Sequence, residues 1–143
     1  MASEADFSRA FIRGLDGAFY FHRVETRLAG LPDISYLSRL TGQGGWIESK
    51  FAPTRPLHGI ITVPMRIEQC LFLRKWASIN DNAKAFVFFS SMDKEFYFFR
   101  AKAEVEWTTA IRQPLTAENL AYLSPLVCKG SIDYKALMDF IGH

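Results

Sequence analysis

Cysteine is scarce in this chain. Cys70 and Cys128 are the only two, far apart and in no Cys-x-x-Cys pair, which excludes zinc-ribbon and thioredoxin-like redox chemistry and fits a reducing cytoplasm. No apolar run approaches the ~20 residues of a bilayer crossing, so no membrane partner is expected. The opening residues Met1-Ala2-Ser3-Glu4-Ala5-Asp6 are acidic and lack the basic and apolar parts of a secretory signal. There is no glycine-rich phosphate loop, which excludes P-loop and dinucleotide-binding chemistry. Internal repeats and low-complexity segments are missing as well. Charge of one sign is also lacking: the formal net charge is +2, too small for a basic field over the whole surface.

Apolar residues are plentiful. They make up 49% of the 143 residues, and phenylalanine supplies 13 of them. A chain of this length buries about two-thirds of its unfolded surface, so one packed domain over 1–143 is expected. The small net charge hides a local excess. Between Lys50 and Lys75 lie Lys50, Arg55, Arg66, Arg74 and Lys75 against one acid, Glu68. Such a stretch reads either as a solvated charged face or as a surface for a phosphate backbone.

Periodicity gives the element order. Residues 4 to 15 read as an amphipathic helix with Phe7, Phe11, Ile12 and Leu15 on one face. Ala18-Phe19-Tyr20-Phe21 favours extended structure. Ile34 to Leu40 and Trp46 to Phe51 read as strands joined by the turn 41–45, making a hairpin. Residues 52 to 63 read as a loop with a short strand at Ile60–Val63. Pro64 suits the first turn of a helix running to about Ile79, with Met65, Phe72, Leu73, Trp76 and Ile79 along one stripe. Lys84–Ser90 and Glu95–Arg100 are nearly unbroken apolar runs and read as a hairpin buried on both faces, which requires helices on both sides of a sheet. Two helical candidates follow, 116–124 and 133–141, with Thr116 and either Ser131 or Asp133 as N-caps. The fold class is therefore α/β, a mixed central sheet flanked by helices. Its core spans about 18–100 and a helical tail spans about 101–143.

One segment carries chemistry. Strand side chains alternate, so Glu48 and Lys50 share one face while Ile47 and Phe51 take the other. Asp33 follows Pro32 at the start of the preceding strand. A lone aspartate there is also a common turn former, and Lys50 could simply pair with Glu48. Two carboxylates beside an ammonium are, however, what metal-assisted phosphodiester hydrolysis requires: the acids hold a hard cation and the lysine steadies water or phosphate. Gln69 falls in the middle of an apolar helical stripe, where a buried amide must find partners, in the backbone or at a site. Arg23, Arg55 and Arg66 are candidates for DNA phosphates, which guanidinium groups bind in a forked geometry. His22 and His58 have no metal-ligand spacing and read as surface or phosphate-contacting residues.

The order Arg23-Val24-Glu25, Gly30-Leu31-Pro32-Asp33-Ile34, Gly45-Trp46-Ile47-Glu48-Ser49-Lys50 and Arg66-Ile67-Glu68-Gln69 resembles the PD-(D/E)xK nuclease superfamily. It looks like the small phage-encoded nucleases related to VRR-NUC domains and Holliday junction resolvases. The resemblance covers roughly residues 20 to 100. It implies a restriction-endonuclease-like core and a Mg²⁺- or Mn²⁺-dependent DNA endonuclease, working in a host cytoplasm if phage-encoded. Asp33, Glu48, Lys50 and Gln69 would be the catalytic set. Glu25, Asp33, Glu48 and the backbone carbonyl of Ser49 would be the metal ligands. Glu25 paired to Arg23 or Arg27 on the surface is the alternative for that residue.

A branched-DNA substrate, as for a Holliday junction resolvase, is the leading expectation. It brings a homodimer with it, because two strands must be cut symmetrically. The alternatives are a sequence-specific or nicking nuclease on the same core, and a DNA-binding module without catalysis. Intact Asp33, Glu48 and Lys50 argue against the last. The tail, with Leu120, Leu123 and Leu126 and then Leu137, Phe140 and Ile141 on apolar faces, is expected to be a lid, a dimer interface or cover for the sheet.

Overall fold

The computed structural model describes residues 3–25, 30–52, 60–91 and 94–142. Helix α1 (Glu4–Leu15) starts where the Ser3 hydroxyl accepts from the Asp6 N–H at 3.1 Å, a side-chain N-cap. It buries Phe7, Phe11 and Leu15, one stripe at helical spacing. Strands β1 (Phe19–Arg23), β2 (Ile34–Ser38) and β3 (Gly44–Phe51) follow, then a short β4 (Ile60–Ile61) and helix α2 (Ile67–Ala77). Strands β5 (Lys84–Ser90) and β6 (Glu95–Arg100) form the expected hairpin. The chain closes with α3 (Val105–Arg112), β7 (Leu115–Thr116), α4 (Ala117–Leu123), β8 (Leu126–Lys129) and α5 (Tyr134–Ile141).

Six strands make one mixed sheet in the order β1-β2-β3-β5-β6-β8. Only β3 and β5 run parallel; the other neighbours are antiparallel. A parallel pair needs a long crossover, and here α2 lies within it. Alternation explains the unbroken apolar runs. Phe86, Phe88, Phe96 and Phe98 face α1 and α5, in a cluster with Phe7, Phe11, Leu137 and Ile141. Val87, Phe89, Tyr97 and Phe99 face the opposite layer, with Leu73, Trp107, Ile111 and Leu120 of α2, α3 and α4. The expected α/β class and mixed sheet are therefore present.

Several local expectations need correction. Gly44 and Gly45 belong to β3 and not to the turn, because a Cβ on Gly45 would lie 2.3 Å from the Lys84 carbonyl of β5. Helix α2 begins at Ile67, past Pro64, and ends before Ile79, which is 62% exposed and off the stripe. The larger correction concerns the tail, which is not appended to a finished core. Helix α3 was not foreseen. Pro125 disfavours a helical residue before it; Ser124 is extended (φ −102°, ψ 112°) and α4 stops. Leu126 then enters β8, which pairs with β6 from Glu95↔Lys129 to Phe98↔Leu126 and covers an edge that would otherwise be open. Asp133 caps α5, accepting from the Ala136 N–H at 3.1 Å. Helix α5 packs against α1 and the phenylalanine core.

Leu137 is fully buried in that core. Leu137→Ala should cost about 2–5 kcal/mol, read as a lower denaturant midpoint with unchanged slope. A loss below about 0.5 kcal/mol, the range of surface changes, would mean that α5 does not dock.

Candidate active site

The candidate site forms where β2 and β3 part. Their ladder is in register from Leu37↔Gly44 to Ile34↔Ile47. One step further, side chains replace the backbone ladder. The Asp33 N–H donates to Glu48 Oε2 at 3.2 Å, and the Ser49 N–H donates to Asp33 Oδ1 at 3.2 Å. Each carboxylate thus takes a backbone donor from the other strand.

Glu48 is 3% exposed. Its Oε1 accepts from Gln69 Nε2 at 2.8 Å and lies 3.2 Å from Lys50 Nζ. Alternation along β3 puts Glu48 and Lys50 on the α2 face, as their spacing requires. Gln69 answers both readings of a buried amide. Its Oε1 accepts from the Arg66 N–H at 2.9 Å, closing the first turn of α2, while its NH₂ holds Glu48. The opposite face of β3 is pinned separately: Ser8 of α1 donates its hydroxyl to Ser49 Oγ at 3.0 Å, with both residues buried. In an extended strand a residue's N–H and C=O point to the same side. The Ser49 carbonyl therefore lies on the Asp33 side.

The electrostatics are unbalanced. Burial, and then the charge of Glu48, push the Asp33 carboxyl up to about 7. Burial raises Glu48 too, opposed by Lys50. The charge of Glu4, in the first turn of α1, also raises both groups. This third acid was not foreseen. An exposed glutamate after a serine cap reads as helix-dipole complementation, and only the docking of α1 brings its field to the site. Cys70 is buried nearby and is no nucleophile, since burial holds its thiol up at about 11.

The other expected residues are placed less centrally. Glu25 lies past the end of β1 with its side chain exposed. It is not among the charges acting on Asp33 or Glu48. Among the described residues, no three His, Cys, Asp or Glu side chains form a metal-holding group, so Glu25 does not complete one. Arg23 is exposed on the edge strand β1, and Arg66 is exposed at the start of α2. Arg55 and His58 lie outside the described residues. Among the described residues no helix is long and apolar enough to cross a membrane.

Comparison with protein-family models, curated proteins and solved structures finds no match.

The raised Asp33 group has a definite pH signature. The folded chain holds this proton more tightly than the unfolded chain, whose group titrates near its ordinary 3.8. Its contribution to stability is complete below about pH 4, fades as pH rises toward about 7, and changes no further above that. Without divalent cation, the parent protein should therefore lose stability relative to Asp33→Asn between pH 4.5 and 8, read as melting temperatures in chelator. Parallel curves would show that Asp33 titrates normally.

Proposed function

We propose that this chain is a divalent-cation-dependent endonuclease that hydrolyses DNA phosphodiester bonds. The observation that carries the reading is the desolvated Asp33–Glu48 pair, joined across two strands and held by Lys50 and Gln69. A buried acid and a half-buried one in the field of a third, with one ammonium against them, hold their protons more tightly than free carboxyls do and gain from a positive charge placed between them. Carboxylate and carbonyl oxygens are the donors that hard cations take. The residues present fit such a cation: Asp33, Glu48 and the Ser49 carbonyl would hold it, with Glu4 as a further acid nearby. When bound, Mg²⁺ or Mn²⁺ supplies Lewis-acid stabilisation of the phosphoryl oxygens and a more acidic water.

The chain's own residues do the rest. Gln69 fixes the Glu48 carboxylate by donating to Oε1 at 2.8 Å, so its other oxygen stays directed at Asp33. The Lys50 side chain is 12% exposed. One of its hydrogens serves Glu48; among the described residues the ammonium has no second ion pair, and it is placed to donate to a phosphate oxygen or to the attacking water. Placement of Glu48 and Lys50 on β3 and of Gln69 on α2, with Asp33 directly before β2, keeps these atoms fixed. DNA as the substrate, branched DNA in particular, and a homodimer rest on the resemblance of the motif. A second reading, a DNA-binding module whose Glu48–Lys50 pair is structural, is favoured by the lack of a third ligating side chain among the described residues.

Four-way junction, flap, single-stranded and linear duplex DNA, each with Mg²⁺, Mn²⁺ or chelator, separate the two. The expected outcome is cleavage with either cation and none in chelator. Asp33→Asn, Glu48→Gln and Lys50→Ala should each lower turnover roughly 100-fold or more while keeping the fold and DNA affinity. Mg²⁺ should also raise the parent's melting temperature at pH 8, since a ligand bound by the folded state stabilises it, and should not raise that of Asp33→Asn. Cleavage at full rate in excess chelator would exclude a cation mechanism.

A further inference from the structure

Three of the chain's arginines, Arg9, Arg13 and Arg23, share one groove. Arg9, Ile12, Arg13 and Asp16 form an i, i+3, i+4, i+7 stripe on α1. With Arg23 of the edge strand β1 they line an open groove of about 380 Å³. Like charges at i and i+4, as in Arg9 and Arg13, oppose helix stability, so the pair is a cost to the free protein. The groove's one acid is already matched. Asp16 Oδ1 lies 3.8 Å from an Arg39 nitrogen, and its carbonyl accepts from Arg39 Nε at 2.9 Å. Arg9 meets Asp6 at 3.4 Å, but both side chains are well exposed, at 63% and 42%. Such a pair is weak and readily exchanged for another anion. Arg13 and Arg23 have no ion pair among the described residues and are both exposed.

The groove lies on the α1 face of the sheet, while Glu48 and Lys50 project from the α2 face. Arg23 is in register with Ile34, the residue after Asp33. At the other end of α1, Glu4 acts on Asp33 and Glu48. Forked guanidinium groups converging over an apolar floor at Ile12 suit the phosphate and sugar of a nucleic-acid backbone. We propose that the α1–β1 groove docks a DNA phosphodiester backbone through Arg9, Arg13 and Arg23. For DNA as the polyanion, this inference rests on the nuclease reading.

The test is the salt dependence of binding to a labelled DNA duplex in chelator, where no cleavage intervenes. Each lost phosphate contact lowers the slope of log K against log salt by about 0.9. Arg13→Gln and Arg23→Gln should each show that loss, and the double variant about 1.8, with melting temperatures unchanged. Lys129→Gln, which removes an exposed cation on β8 at the far edge of the sheet, should keep the parental slope. Parental slopes in the groove variants would overturn the proposal, as would an equal loss in Lys129→Gln. Cleavage by the parent with Mg²⁺ is scored separately. If it cleaves while the groove variants keep their slopes, the groove fails and the nuclease stands. If the slopes fall as expected but no cation supports cleavage, the groove stands as a DNA-binding surface and the nuclease reading fails. A parent that binds no DNA overturns both.

Discussion

The structure around the candidate site depends on one constraint, a carboxylate buried on a central strand. Glu48 is 3% exposed, and an ionised acid there is costly unless it is paired and hydrogen-bonded. Its partners come from three elements. The Asp33 N–H arrives from the residue before β2, Lys50 from two residues further along β3, and Gln69 from the first turn of α2. Removing any one leaves a buried acceptor short of a donor. The parting of β2 from β3 and the docking of α2 are thus coupled through a single side chain.

The two faces of the sheet divide the work. Toward α1 and α5 the packing is almost entirely aromatic, with Phe11, Phe88 and Phe98 meeting edge to face at 4.9 to 5.1 Å between ring centres. Toward α2 the same strands carry Glu48 and Lys50 at one end. The polar end can be poorly compensated because the aromatic side holds the strands in place. Ser8 and Ser49 join the two roles: β3 is tied to α1 by a hydroxyl pair at the position whose carbonyl turns toward Asp33. A rigid frame with a locally unfavourable site is the usual division between stability and function.

The features legible in the sequence were those set by a local period. Alternation alone placed Glu48 and Lys50 together, and the helical stripe placed Gln69 under them. The double alternation of Lys84–Ser90 and Glu95–Arg100 announced a sheet covered on both faces. What stayed hidden depended on contacts distant in sequence or on elements too short to show a period. Glu4 reaches the site only because α1 docks on β3. Glu25 has the right residue type near the motif, yet β1 ends before it can point inward. Strand β8 spans Leu126–Lys129, too few residues to distinguish alternation from a helix end. Its place comes instead from the open edge of β6. Of the roles expected for the tail, cover for the sheet is the one the structure shows: Leu120, Leu137 and Ile141 are buried in the core, while Leu123 stays partly exposed.

The formal charge of +2 conceals an arrangement rather than a neutrality. At the parting of β2 and β3 acids outnumber bases and are desolvated. Along α1 and β1, on the other face of the sheet, Arg9, Arg13 and Arg23 gather with little to pair them among the described residues. On the proposed reading these imbalances answer one another. A cation relieves the repulsion between Asp33 and Glu48, and a phosphate relieves that among the arginines. A DNA strand bound at both would meet the cation at one site and the guanidinium groups at the other. Each ligand then lowers the cost of binding the other, which is a coupling free energy between two sites and is reciprocal by linkage. A protein built this way is least comfortable when empty, and the discomfort is located where the chemistry would occur.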